Sequence, residues 1–153
     1  MLDLRGLCPL LQVFDMPTSV RFYQEVLGFE VHSHAPFYAP GQFHWCWLRR
    51  GEMNLMLNTA YEEGARPAIP DAARVAAHED TCLYLDCPDV DGAWEELKAK
   101  GLEVNPPKTA PYGMRQLYFQ DPDGSEMWSR WMNPPKRPTS KCASGPPGEM
   151  GAP

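Results

Sequence analysis

Residues 15–28 read DMPTSVRFYQEVLG and residues 89–101 read DVDGAWEELKAKG. Each opens on an aspartate, whose side chain can accept from the unpaired N–H groups of a helix start. In the first, Pro17 fits the first turn, where no intrahelical donor is needed. Val20, Tyr23 and Leu27 recur at helical spacing there, and Val90, Ala93, Trp94 and Leu97 do so in the second, giving each an apolar stripe. Each closes on a glycine, the residue that most readily takes the left-handed conformation ending a helix. The same phrase then follows twice, Gly28-Phe29-Glu30-Val31 and Gly101-Leu102-Glu103-Val104.

Working outward, the duplication extends over most of the chain. Gly28 and Gly101 are 73 positions apart, and so are Gly51 and Gly124. Before each helix comes a strand-like run, Cys8–Phe14 and Cys82–Cys87. After each come three more: Glu30–Tyr38, Phe43–Leu48 and Met53–Leu57 in the first half, then Val104 onward, Gln116–Phe119 and Glu126–Trp131 in the second. Arg50-Gly51-Glu52 and Asp121-Pro122-Asp123-Gly124 supply the turn chemistry of the last hairpins. A repeated strand–helix–strand–strand–strand order defines an α+β fold of two βαβββ modules.

The spacing places module one at about residues 6–58 and module two at about 81–133, within one domain over 1–133. Residues 59–80 form a polar, proline-broken linker in which a short helix after Asp71 is expected. Residues 134–153, PPKRPTSKCASGPPGEMGAP, hold six prolines, three glycines and no aromatic. Such a segment buries too little apolar surface to offset its ordering entropy, so a disordered tail is expected.

The 153 residues carry 14 Lys and Arg against 20 Asp and Glu, a formal charge of −6. That balance opposes a phosphate-gripping surface, so nucleic acid is not an expected partner. Met1-Leu2-Asp3-Leu4-Arg5 has an acidic residue and no long apolar run, unlike a secretory leader. No stretch approaches the ~20 apolar residues of a membrane helix. Five cysteines without C-x-x-C spacing fit reduced thiols. The expectation is a cytoplasmic protein without membrane partners.

The pieces SVRFYQEVLGFEV, DVDGAWEELKAKGLEV and QLYFQDPDGSEMW resemble the vicinal oxygen chelate superfamily of glyoxalase I, bleomycin-resistance proteins, fosfomycin-resistance enzymes and extradiol dioxygenases. The resemblance implies two modules whose curled mixed sheets form a cleft, commonly completed in a homodimer. It also implies four metal-ligand positions in the metal-dependent branches: His or Gln in the first strand, Glu in the fourth, His in the fifth and Glu in the last. Carried over, these fall at Cys8, Asn54, Cys82 and Trp128. Asn is a weak neutral ligand, indole is none, and two thiolates alone leave a soft metal short of partners. No cofactor is therefore expected, and Cys8 and Cys82 read most simply as small apolar packing residues.

His32 and His34 alternate along one strand, an acceptable metal geometry, but no carboxylate shares their face. No G-x-S-x-G, Gly-rich phosphate loop or paired nucleophile and base stands out.

Strand alternation instead groups Cys8, Leu10 and Gln12; Trp45 and Trp47; Asn54, Met56 and Asn58; Cys82, Tyr84 and Asp86; and Glu126, Trp128 and Arg130, from which the expected ligand-binding cleft is Cys8, Gln12, Trp45, Trp47, Asn54, Met56, Cys82, Tyr84, Asp86 and Trp128. Aromatic and thioether surface with a few amides and charges suits a large, flat, amphipathic ligand. Tyr84 beside Asp86 suits a cationic one. The resemblance and this set together imply a metal-free binding protein like the bleomycin-resistance members, sequestering an aromatic or cationic compound such as an antibiotic. The alternatives are a glyoxalase-like lyase, isomerase or dioxygenase with non-standard metal ligands, and a noncatalytic subunit whose tail recruits a partner.

Overall fold

The computed structural model describes residues 3, 6–39, 42–62, 64–78 and 81–132. The tail expected over 134–153 lies outside the described residues.

Two four-stranded mixed sheets carry the fold. The first holds β1 (Leu10–Val13), β2 (Glu30–His34), β3 (Trp45–Arg50) and β4 (Met53–Thr59), in the order β1-β4-β3-β2. The second holds β5 (Cys82–Asp86), β6 (Lys108–Thr109), β7 (Met114–Gln120) and β8 (Glu126–Met132), in the order β5-β8-β7-β6. In each, the first strand runs parallel to the last and every other pairing is antiparallel. The second sheet thus repeats the first, as the duplicated sequence requires.

The helices form where the caps were read. α1 (Met16–Arg21) starts at Asp15, whose Oδ2 accepts from the Thr18 N–H at 3.1 Å. It continues as a π-helical turn over Phe22–Val26. α2 (Ala72–Ala77) is the linker helix, with Asp71 accepting from Ala73 N at 2.9 Å. α3 (Val90–Ala99) starts at Asp89, which accepts from Gly92 N at 2.8 Å. Gly28 and Gly101 stand at φ 68° and 86°, the left-handed stops the sequence called for.

One core joins both halves. Tyr23, Leu27 and Phe29 of module one are buried in the same cluster as Val90, Leu97, Leu117 and Met127 of module two. Polar contacts lock the seam at the Asp121–Gly124 turn. Asp121 accepts from the Tyr23 hydroxyl at 2.8 Å, and Asp123 accepts from Phe14 N at 2.6 Å and from the Ser19 hydroxyl at 3.0 Å. The linker closes over this turn through Arg74, which pairs with Asp123 at 3.2 Å and also donates to the Gln12 carbonyl. His78 adds a bond from Nδ1 to the Asp123 carbonyl at 2.9 Å.

Three sequence expectations are corrected. The strand expected from Val104 onward is ordered into the ladder only at Lys108–Thr109, because Pro106 and Pro107 have no N–H to donate. The strand expected through Tyr38 ends at His34, just before Ala35-Pro36. His32 and His34 do not share a face, because a register shift between Val31 and Ser33 interrupts the alternation. His32 meets Trp47 edge-on at 4.6 Å between ring centroids, whereas His34 stacks on buried Phe43 at 4.9 Å.

Candidate functional site

Each sheet turns one face to the helices and core and leaves the other more open. Along β8, Met127 and Ser129 are buried while Glu126, Trp128 and Arg130 are half-buried. Along β3, Cys46 and Leu48 are buried while Trp45 and Trp47 are half-buried. The same alternation leaves Asn54 and Met56 half-buried against buried Leu55 and Leu57 on β4. In β3, β4 and β8 the alternation read from the sequence is therefore the one the strands adopt.

On the second sheet the open face resolves into three rows across β5, β8 and β7. The register aligns Cys82 with Glu126 and Gln120, Tyr84 with Trp128 and Tyr118, and Asp86 with Arg130 and Gln116. The middle row is wholly aromatic. Trp128 stands between Tyr84 at 4.9 Å and Tyr118 at 4.7 Å, each edge-to-face. Such geometry sets the positive edge of one ring against the negative face of another. The flanking rows carry charge. Glu126 Oε2 accepts from the Trp128 indole N–H at 3.0 Å, which fixes both side chains. The Arg130 guanidinium lies 4.6 Å from the Tyr84 ring centroid and 3.6 Å from the Asp86 carboxylate.

The tyrosine hydroxyls remain protonated donors. Tyr84 is pushed above the ordinary phenol value by desolvation and then by the neighbouring Cys82 and Tyr112. Tyr118 is raised by desolvation and by Tyr112 and Glu126. Tyr118 donates to Gln116 Oε1 at 2.7 Å, and Tyr112 donates to the same oxygen at 3.2 Å. Buried Gln116 therefore orients both hydroxyls.

On the first sheet the corresponding rows are Leu10, Met56 and Trp47, and Gln12, Asn58 and Trp45. The Trp47 indole donates to Asn54 Oδ1 at 3.0 Å, and the Asn58 amide donates to Gln12 Oε1 at 3.4 Å. This face is aromatic and amide at its centre, with Arg49 and Glu30 aligned beside Asn54 at its edge. A cavity of about 230 Å³ lies between the two sheets, with Leu10 and Gln12 of the first and Leu83 and Glu126 of the second in its lining.

The ten residues singled out from sequence thus divide between two sheet faces. Gln12, Trp45, Trp47, Asn54 and Met56 lie on the first, with Cys8 just ahead of β1; Cys82, Tyr84, Asp86 and Trp128 lie on the second. Cys8 and Cys82 are half-buried, and Cys46 is the cysteine packed in the core. Two residues at the aromatic row, Tyr118 and Gln116, escaped the sequence-based grouping. Glu126 was legible from its alternation with Trp128, but Tyr118 and Gln116 become visible only once β7 is registered against β8.

The metal-ligand positions implied by the resemblance do not fit a metal. The β1–β4 register, extended by two residues, sets Asn54 level with Cys8. In module two the residue opposite Cys82 is Glu126, while Trp128 stands opposite Tyr84. Even with Glu126 the set lacks imidazole and contains one carboxylate, which already holds the Trp128 indole. Among the described residues no three His, Cys, Asp or Glu side chains converge as a metal site would need.

A family model described as Glyoxalase/Bleomycin resistance protein/Dioxygenase superfamily matches residues 8–128. No curated protein matches the chain in sequence. Among solved structures, a glyoxalase/bleomycin resistance protein/dioxygenase from Nocardioides is 23% identical, with TM-score 0.63, over 99% of this chain and 93% of its own. The bleomycin-binding protein from bleomycin-producing Streptomyces verticillus, complexed with copper(II)-bleomycin, is 22% identical with TM-score 0.59, over 84% of this chain and 97% of its own. A bleomycin resistance determinant encoded on the transposon Tn5 is 18% identical with TM-score 0.61, over 85% of this chain and 99% of its own. These likenesses are of fold, and they agree with the duplicated sequence, the paired sheets and the matched residues: the chain belongs to the Glyoxalase/Bleomycin resistance protein/Dioxygenase superfamily.

Proposed function

We propose that this chain is a metal-free small-molecule binding protein that sequesters a flat aromatic compound, preferably a cationic one such as an antibiotic, on its open sheet faces. The observation that carries the reading is the row Tyr84, Trp128 and Tyr118 with Glu126 and Asp86 beside it. A planar cation gains ring contact from such a row and charge complementarity from Glu126, since Asp86 already faces Arg130. The amide and tryptophan face around Trp47, Asn54 and Gln12 supplies the opposing surface, in a cytoplasmic homodimer that brings the two faces together. Tyr84 and Tyr118 are 43% and 41% exposed in the single chain, a large aromatic exposure that a dimer and its ligand would cover. The bleomycin-binding protein from Streptomyces verticillus, which shares the fold, supports the same class of role.

The test is tryptophan fluorescence with a planar acridinium dye, alongside elemental mass spectrometry of protein exposed to divalent metals and then desalted. Saturable quenching at one dye per site, lost in Trp128→Ala, supports the reading. Unchanged quenching in that variant overturns the site. Near-stoichiometric retention of one metal overturns the metal-free reading in favour of an enzyme with non-standard ligands.

A further inference from the structure

On the helix side of the sheets, away from the aromatic row, a cavity of about 500 Å³ opens between the modules. Its walls include Leu27 and Phe29 from the end of the first helix and Leu85, Leu97, Leu117 and Phe119 from module two. Five of these are core residues with little solvent exposure, and Leu85 packs against them, so the cavity reaches into the hydrophobic interior. Four charged residues stand around it: Arg50, Asp86, Asp89 and Glu96.

The charges are not equivalent. Asp89 is engaged as the cap of α3, Asp86 faces Arg130 at 3.6 Å, and Glu96 pairs with Lys100 at 2.6 Å. Arg50 has a different partner: its guanidinium donates to the Leu27 carbonyl at 2.5 Å and has no carboxylate within ion-pair distance among the described residues. A guanidinium carries five N–H donors in a planar fork suited to a carboxylate. One of these is committed to Leu27. The side chain is held flat over Gly28, where an added Cβ would lie 3.6 Å from the guanidinium carbon. The site therefore combines an apolar chamber with one cation that is hydrogen-bonded to Leu27 and acts on Glu96 only from beyond ion-pair contact.

We infer that this intermodule cavity is a second ligand site, taking a small amphiphile whose alkyl or aryl body fills the chamber and whose carboxylate pairs with Arg50. Its volume falls within the roughly 300–1,000 Å³ of small-molecule pockets, which join apolar walls to a few orienting polar groups. Ligand and protein lose their separate hydration in exchange for buried apolar contact, and the ionic pair sets the orientation. The inference does not rest on the proposed function, because the cavity lies on the opposite side of the second sheet from Trp128.

The experiment titrates the full chain with octanoate, octanol and octylamine and follows the methyl NMR signals of Ala93, Leu97 and Leu117, with Arg50→Gln and Ala93→Leu as variants. Saturable octanoate shifts confined to these methyls are expected, at least tenfold tighter than for octylamine. Arg50→Gln should weaken octanoate about tenfold and leave octanol unchanged, while Ala93→Leu should weaken both. The comparison of octanoate with octylamine uses the unaltered protein, so it stands even where a variant fails to fold. Absence of saturable octanoate shifts, equal binding of octylamine, or octanoate affinity unaffected by Arg50→Gln would overturn the inference. Trp128→Ala should leave octanoate binding intact.

Discussion

The Tyr23 hydroxyl donates to Asp121 Oδ2 at 2.8 Å, joining residues 98 positions apart and fastening the helix of module one to the last hairpin turn of module two. Both side chains are buried. The same carboxylate accepts from the backbone N–H of Asp123 at 3.0 Å and of Ser125 at 2.8 Å, so the turn and the helix share one acceptor group. Burial drives the Tyr23 phenol far above its ordinary range, with the two aspartates adding to the effect, so it is a fixed donor.

Tyr23→Phe removes that donor and leaves Asp121 buried with its two backbone partners. Loss of one hydrogen bond to a buried acceptor costs about 1–3 kcal/mol. Urea unfolding should show a lower midpoint with an unchanged slope; an unaltered midpoint would show that the seam does not depend on this bond.

The Asp121 carboxyl is raised above its ordinary value of 3.8, because desolvation outweighs the hydrogen bonds from Tyr23, Ser125 and Asp123. A group raised in the folded state favours folding below its unfolded value and loses that contribution as pH rises through its folded value. Asp121→Asn carries no such titration. The stability of the variant relative to the parent should therefore improve as pH rises from about 3 towards neutrality. Denaturant series at several pH values would show it, and a difference that stays flat or runs the other way would refute the assignment.

Glu126 is placed beside the aromatic row with its carboxylate bonded to the Trp128 indole. Glu126→Gln keeps an acceptor oxygen but removes the charge. Affinity for a planar cation should fall about tenfold, as expected for one lost charge contact of about 1.4 kcal/mol, while a neutral aromatic of the same shape is little affected. Parallel fluorescence titrations with the two probes distinguish this from a structural effect, which would weaken both.

Cys46 is buried beside Met16, with its thiol pushed up to about 12 by burial. Thiolate is the reactive form, so this residue should resist alkylation at pH 8 in the folded protein. Of the four cysteines among the described residues, half-buried Cys82 and Cys87 should label first, and Cys8 more slowly because desolvation raises its thiol as well. Peptide mass spectrometry after timed iodoacetamide treatment reads the order. Prompt labelling of Cys46 without denaturant would contradict its place in the core.

The sequence by itself determined the duplication, both helix caps and stops, and the alternation of faces along β3, β4 and β8, though not along β2, where the shift between Val31 and Ser33 parts His32 from His34. These are local properties: a cap, a left-handed glycine and a two-residue alternation act within a few positions of chain. The resemblance carries the ligand positions of the metal-dependent branches onto Cys8, Asn54, Cys82 and Trp128, but the β5–β8 register sets Glu126, not Trp128, opposite Cys82. What the sequence could not determine was register between distant strands. The parallel ladders differ by two residues, since Leu10 pairs with Met56, 46 positions later, but Tyr84 pairs with Trp128, 44 positions later. That slip sets Glu126 opposite Cys82 and assembles Tyr84, Trp128 and Tyr118 into one row. Only the tertiary structure decided it, because pairing register is chosen by the packing of whole sheets against the helices, and no stretch of sequence carries that sum alone.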